Sequence, residues 1–475
     1  MKSNMRTPRP RRPSDFALIA IVIIAFYRVP SHLWFAMIFT VGGYKMSLTE
    51  LILASSFILI IIQKLKSPPY TIILFGTVLI FSVIFSTDPS GYFPLLIIGL
   101  APLLLTVLLA STRVNTDNVL SLLKTLFVSG AIFLIVAVIT RSLFGPDSTI
   151  QSAGGIIVMD EMVISLGGED RLRLSMPGLD KNKFAMQMVL AGIIGLFFWR
   201  KENRQQMKFT YLALSLILLS APLWAFSKGS FISALVSLTY LLTIARWFKL
   251  PLVLSLSFVA ALVSLLYSPL VLLYIAWIGQ VLKYIPGIDF VAADLALFYD
   301  VWDTSDRFVT APHALELFIS RPLLGVGYGS LERIQPYIFG SSEHNYYIRL
   351  LAETGVLGLS VLLYLIANQL LWLRKVGRRL SRHGPWNKGG KKPENLLLIA
   401  QLLTAMYLGL AVNLLVSPAD YNFWIVTGLI IAWRRYGTVA TAISAPGGHG
   451  VRYNQQSGAR PSARAYQTGR RKHYR

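Results

Sequence analysis

Apolar residues along this chain fall in repeated blocks of about twenty instead of alternating or forming one-faced stripes: 16–39, 47–63, 70–86, 93–110, 119–140, 184–199, 209–226, 230–248, 251–277, 346–372, 396–416 and 421–436. Each block is about long enough, some with tilt, for a helix to cross the hydrocarbon of a bilayer. The pattern therefore predicts an all-α, polytopic membrane protein with about twelve transmembrane helices. The first block is interrupted by Arg28 and Pro30 and has no small-residue cleavage site after a short apolar core. It reads as a retained span and not as a cleaved signal peptide.

Composition agrees, with 54% hydrophobic and 14% charged residues, and the charge adds an orientation. Forty-five Lys and Arg against 22 Asp and Glu give +23, which in a soluble protein would point to nucleic acid. Here the cations sit in "MKSNMRTPRPRRP", "KLK" at 64, "RKENRQQMK" at 200, "RWFK" at 246, "RKVGRRLSRHGPWNKGGKK" at 374 and the final tail. Those segments fall on alternate connections, so the positive-inside rule places them, and both termini, in the cytoplasm. The expected partners of this charge are membrane lipids and not nucleic acid.

Residues 1–436 then form one membrane domain. The opposite face receives two long connections, 141–183 and a large loop at 278–345 between helices 9 and 10, and function is expected there. Residues 437–475 are Gly, Ser and Arg rich, the composition of a disordered basic tail on the cytoplasmic side. The absence of cysteine excludes disulfides, thiolate zinc sites and cysteine nucleophiles. No fixed-period repeat supports an inverted-repeat transporter.

The large loop ends in three linked pieces: "TSDRFVTAPHALELFISRP", "LLGVGYGS" and "SSEHNYYIRLLAETGVLGL". In the first, Thr310 can cap a short helix that Pro322 must stop, which puts Arg307 just before a helix N-terminus. In the second, Gly325, Gly327 and Gly329 allow two readings, a tight re-entrant turn or a turn whose N–H groups face an anion. A nucleotide site is excluded, because no βαβ unit surrounds the glycines and they lie on the face without ATP. In the third, Ser341 or Ser342 can cap the next helix and place His344 in its first turn, on one face with Ile348, Leu351, Gly355 and Gly358. A helix N-terminus favours a neutral imidazole, able to accept a proton from a hydroxyl; the alternative is an interfacial histidine that only hydrogen-bonds. Arg349, off that face, reads as a headgroup anchor.

The first outer loop, "GGEDRLRLSMPGLDKNKFAMQMVLAG", carries Arg171, Arg173, Lys181 and Lys183 on the side that disfavours cations. They either pair with Glu169, Asp170 and Asp180 or receive a diphosphate. Lys228, in "AFSKGS", is expected on the same face. Arg28 either snorkels or lines a polar cavity.

"SRPLLGVGYGS" followed by "EHNYYIRLLAETGVLGL" resembles the signature region of the O-antigen ligase and polymerase family of bacterial inner-membrane proteins. The likeness is strongest over 300–360. "RLRLSMPGLDKNKFA" is similar to that family's arginine followed by an asparagine-containing helix start, and "FSKGS" to its Ser-Arg-Gly turn. The resemblance implies glycosyl transfer from an undecaprenyl-diphosphate-linked glycan donor to an acceptor hydroxyl on the periplasmic side, with no cofactor, metal or nucleotide sugar. It implies that His344 of the His344–Asn345 pair is catalytic and that Arg173 and Arg307 hold the diphosphate. Lys228 stands in an arginine's place, keeping the charge and losing the bidentate fork. His313 is assigned no role. The acceptor stays open among lipid A core (a ligase), growing glycan (a polymerase) and protein (an O-oligosaccharyltransferase). A transporter or lipid flippase is the alternative from another class.

Overall fold

In the computed structural model nine of the apolar blocks are helices, and the described residues are mostly helical. The structure describes residues 22, 39–41, 44–46, 69–111, 116–143, 149–152, 155–158, 163–166, 169–172, 181–225, 227–247, 314–331, 345–382, 393–415 and 421–436. Nine helices follow in order within these residues: α1 Tyr70–Ile84, α2 Pro89–Ser111, α3 Thr116–Leu143, α4 Lys181–Lys201, α5 Gln205–Trp224, α6 Lys228–Thr243, α7 Tyr346–Arg382, α8 Pro393–Asn413 and α9 Tyr421–Tyr436. Each coincides with an expected span. The other three expected spans, 16–39, 47–63 and 251–277, lie outside the described residues apart from Val22, which is helical and buried, and Phe39.

By length and apolar composition α2, α3, α4, α5, α7 and α8 can each cross a membrane, while α1 and α6 are apolar but shorter. This is a membrane protein.

One feature departs from a purely helical expectation. Three two-stranded antiparallel ribbons are present: β1 Phe39–Val41 with β2 Tyr44–Met46, β3 Thr149–Ser152 with β4 Gly155–Val158, and β5 Val163–Leu166 with β6 Glu169–Leu172. The last two lie in the first long connection, where β-branched residues in "TIQS" and "VISL" favour extended backbone. In the third ribbon Arg171 pairs across from Ile164.

α4 is the centre of the bundle. From Phe184 to Leu196 every residue is buried, which fits a helix that is apolar on all sides and surrounded by other helices. Gly192 and Gly195 permit that crowding: a Cβ at Gly192 would meet Leu219 and the Ser215 carbonyl of α5, and one at Gly195 would strike Ser215 and Phe127. Phe127, Phe198 and Tyr211 pack ring to ring where α3, α4 and α5 meet.

The outward faces are apolar instead of polar. Ile132, Ile135 and Ile139 of α3, and Phe209, Leu216 and Ile217 of α5, are exposed. A surface of this kind suits lipid as its solvent.

Candidate functional site

Local chemistry at the start of α7 fixes the first part of the site. Asn345 Oδ1 accepts hydrogen bonds from the N–H groups of Tyr347 (3.0 Å) and Ile348 (3.2 Å), which makes Asn345 the N-cap. The expected cap at Ser341 or Ser342 is therefore corrected. His344 precedes the capping residue instead of lying in the first helical turn. The side chain of asparagine is the reason, since it reaches the second and third helical N–H groups from the position where the chain enters the helix.

Of the face expected for α7, Gly355 and Gly358 are buried, and the rest is corrected. Tyr346, Arg349, Leu350 and Glu353 turn inward, spaced i, i+3, i+4 and i+7, while Ile348 and Leu351 are only partly buried. Tyr346 N–H bonds the Leu414 carbonyl (2.8 Å) and Tyr347 Oη donates to the Ala411 carbonyl (2.8 Å), so the last turn of α8 fixes the start of α7.

Gly355 then breaks α7. Its φ of 66° and ψ of −166° are non-helical and belong to a region open almost only to glycine. The break leaves carbonyls above it and N–H groups below it without helical partners. The glycine run supplies both kinds of partner. Val326 and Gly327 donate to the Ala352 and Glu353 carbonyls (both 3.0 Å), and Val356 and Leu357 donate to the Pro322 (2.8 Å) and Leu323 (3.4 Å) carbonyls.

This geometry makes the glycine run a tight turn packed against α7. Gly325, Gly327 and Gly329 all have positive φ (69°, 117° and 87°), as a tight turn requires. Their close neighbours are protein: a Cβ at Gly325 would run into the backbone of Glu353 and Thr354, one at Gly327 would meet Ser86 and Tyr92, and one at Gly329 would meet Leu95. Gly325 N–H goes to the Arg321 carbonyl (2.9 Å) and Tyr328 N–H to Ser82 Oγ (3.3 Å). The N–H groups of Gly325 and Gly327 thus serve the turn. Gly355 lets the backbone of Leu323 approach.

The helical turn 314–320 ends before Pro322, as expected, and Arg321 Nη1 donates to the Phe85 carbonyl (2.9 Å) at the end of α1.

A second cluster joins α4 to α6. Ser227 Oγ donates to Asn182 Oδ1 (2.8 Å) and Ser230 Oγ to the Asn182 carbonyl (3.0 Å). The asparagine of "DKNKFA" and the serines of "FSKGS", far apart in sequence, meet here. Lys228 is the first residue of α6, beside this contact.

α8 connects the two clusters. Ser237 Oγ of α6 donates to the Ala405 carbonyl (2.9 Å), and Gly409 leaves room for the Ser233 carbonyl one turn on. That antiparallel register carries the first turn of α6 to the level of Asn413, next to the carbonyl that holds Tyr346. The starts of α4, α6 and α7 therefore share one end of the bundle, and Asn345 and Lys228 are brought to it. His344, Arg173 and Arg307 lie outside the described residues.

Sequence reasoning missed two things. Arg349 is not a headgroup anchor: it is 7% exposed, and its Nε stands 3.2 Å from Oε1 of the fully buried Glu353, an ion pair although not an aligned hydrogen bond. The signal was present, because Arg349 and Glu353 are the one base and the one acid between 346 and 372, four residues apart. The Asn182–Ser227–Ser230 contact had no comparable signal, since single polar residues in apolar blocks do not announce their partners.

Residues 213–363 match the model of a protein family described as O-antigen ligase. The match spans α6, the glycine turn, Asn345 and the break at Gly355, so it covers most of the geometry above, and the resemblance read from the sequence stands. Among curated proteins none matches the chain.

Proposed function

Taking the O-antigen ligase family as the frame, we propose that this protein is a membrane glycosyltransferase that moves a glycan from undecaprenyl diphosphate to an acceptor hydroxyl at the periplasmic face of the inner membrane. The observation that carries the proposal is the convergence of the starts of α4, α6 and α7 at one end of the bundle. Those are the places where the family-like stretches "DKNKFA", "FSKGS" and "HNYY" lie.

In this reading the acceptor oxygen attacks the anomeric carbon as the bond to the diphosphate oxygen breaks, and undecaprenyl diphosphate leaves as an anion. His344 takes the hydroxyl proton, acting as general base. Arg173, Arg307 and Lys228 face the diphosphate, where negative charge grows in the transition state, and fixed cations there lower the barrier. Asn345, held as the N-cap, sets the direction in which the chain leaves the helix toward His344. The fold reading extends to about twelve spans, with both termini cytoplasmic and 278–345 as the large outer loop. Lipid A core is the acceptor proposed, and polymerisation or protein glycosylation would use the same chemistry on another hydroxyl.

The test is a His344→Ala protein that inserts at the wild-type level. It is expected to lose transfer while still binding the lipid-linked donor. Transfer at the wild-type rate would remove His344 from catalysis and the proposal with it. Movement of the donor across liposomes with no transfer detected would favour the flippase instead.

A further inference from the structure

From Thr354 to Leu373 the chain carries no charge, a run of twenty residues that rises about 30 Å as a helix, the thickness of a bilayer's hydrocarbon. Trp372 therefore stands where hydrocarbon gives way to headgroups, at the end of the bundle opposite Asn345. Beyond it α7 continues to Arg382 and carries Arg374, Lys375, Arg378 and Arg379.

Helical spacing sorts those four cations to two sides. Lys375 and Arg379 follow Trp372 at i+3 and i+7 and share its side, while Arg374 and Arg378 lie on the other. α9 meets α7 on the Trp372 side. The Arg434 guanidinium carbon stands 5.9 Å from the centre of the Trp372 ring, and Trp433 meets that ring edge-on at 5.7 Å. Lys375, Arg379 and Arg434 thus gather beside one indole, and none of the three has an acidic partner among the described residues.

Two more features make this corner amphiphilic. Tyr364 and Leu371 are exposed and, at i and i+7 with Lys375 at i+11, form an apolar strip that leads up to the cations. Trp433 is fully buried, yet its Nε1 has no hydrogen-bond acceptor among the described residues. Such a donor destabilises the fold until something accepts from it. An apolar strip, an indole N–H in need of an acceptor and a cationic rim match, in that order, the acyl chain, ester carbonyl and phosphate of a phospholipid.

We propose that Trp372, Lys375, Arg379 and Arg434 seat the headgroup of an anionic phospholipid, with its ester region at Trp433 and an acyl chain along Leu371 and Tyr364. Guanidinium groups bind phosphate oxygens through charge-assisted bonds, and basic pockets between membrane helices suit anionic headgroups. An acidic protein segment would answer the cations but not the apolar strip, which lies at hydrocarbon depth. The seat requires only that α7 crosses a membrane, whatever the protein transfers.

Full-length protein purified in detergent and stripped of lipid is titrated with phosphatidylglycerol or phosphatidylcholine, and bound lipid is counted by native mass spectrometry. Wild type is expected to hold phosphatidylglycerol at least about tenfold tighter than phosphatidylcholine. Lys375→Gln with Arg379→Gln should weaken phosphatidylglycerol about 25-fold, at about fivefold per cation. Arg374→Gln with Arg378→Gln removes the same charge from the other side of α7 and should change its affinity by less than about twofold. Trp433→Phe keeps an aromatic ring, removes the N–H and should weaken both lipids about threefold, since both carry the ester. Should the Lys375–Arg379 double variant fail to fold, Arg434→Gln carries the test with a loss of about fivefold.

Equal losses in the two double variants would mean diffuse attraction by net charge and overturn the seat. Equal affinity of wild type for the two lipids overturns the choice of an anionic one, and unchanged binding of both lipids by Trp433→Phe overturns the placement of the ester. Binding of a poly-glutamate peptide with neither lipid retained would assign the cations to an acidic protein and overturn the proposal.

Discussion

Replacing Gly355 with alanine tests whether the break in α7 is as tightly determined as its contacts indicate. At φ 66° and ψ −166° an L-residue pays about 1–3 kcal/mol for the backbone alone. The added Cβ would also collide with the Leu323 backbone and the Pro322 carbonyl, so the glycine turn must withdraw. Four hydrogen bonds join the turn to the break: Val326 to Ala352, Gly327 to Glu353, Val356 to Pro322 and Leu357 to Leu323. Each is worth about 0.5–1.5 kcal/mol net. Losing two of them with the strain gives a destabilisation of about 2–6 kcal/mol.

Gly377 provides the control, because it lies in the regular part of the same helix and a Cβ there meets nothing within 4 Å. Gly377→Ala should be neutral or gain up to about 1 kcal/mol from helix propensity. The assay is thermal unfolding of the detergent-purified variants, followed by loss of the monodisperse peak. If Gly355→Ala unfolds within a degree or two of wild type, α7 is not held in this broken geometry and the account of the glycine turn fails.

The remaining predictions concern individual contacts. Asn345→Ala removes the cap and is expected to cost about 1 kcal/mol in the same unfolding assay, while Asn345→Asp should retain most of the stability. Equal losses in the two variants would show that the cap does not matter. Asn182→Ala should loosen the α4–α6 contact by about 1 kcal/mol and should add nothing when Ser227→Ala and Ser230→Ala are already present; simple additivity would contradict the shared contact. Arg307→Ala and Arg173→Ala should raise donor KM about tenfold or more with acceptor KM nearly unchanged, as loss of a charge-assisted contact to a diphosphate requires. Unchanged donor kinetics would take them out of the site.

Hydrophobic patterning alone dictates the helices and their kind. Blocks as apolar as 184–199 or 396–416 have few ways to satisfy their backbone except as helices packed among others or facing lipid, so nine expected spans appear where the pattern placed them. Gly-Val-Gly-Tyr-Gly likewise dictated a tight turn, because three closely spaced glycines permit backbone angles that other residues resist. What the turn is for could not be read from it, since the carbonyls that Val326 and Gly327 meet lie more than twenty residues away, at a break in α7 that depends on Gly355. The same holds for Arg349, whose position suggested a headgroup anchor until the inward face of α7 put it beside Glu353. Only the tertiary structure could bring Asn182, Ser227 and Asn345 to one end of the bundle, because that proximity is set by helix packing through α8, which no local pattern encodes.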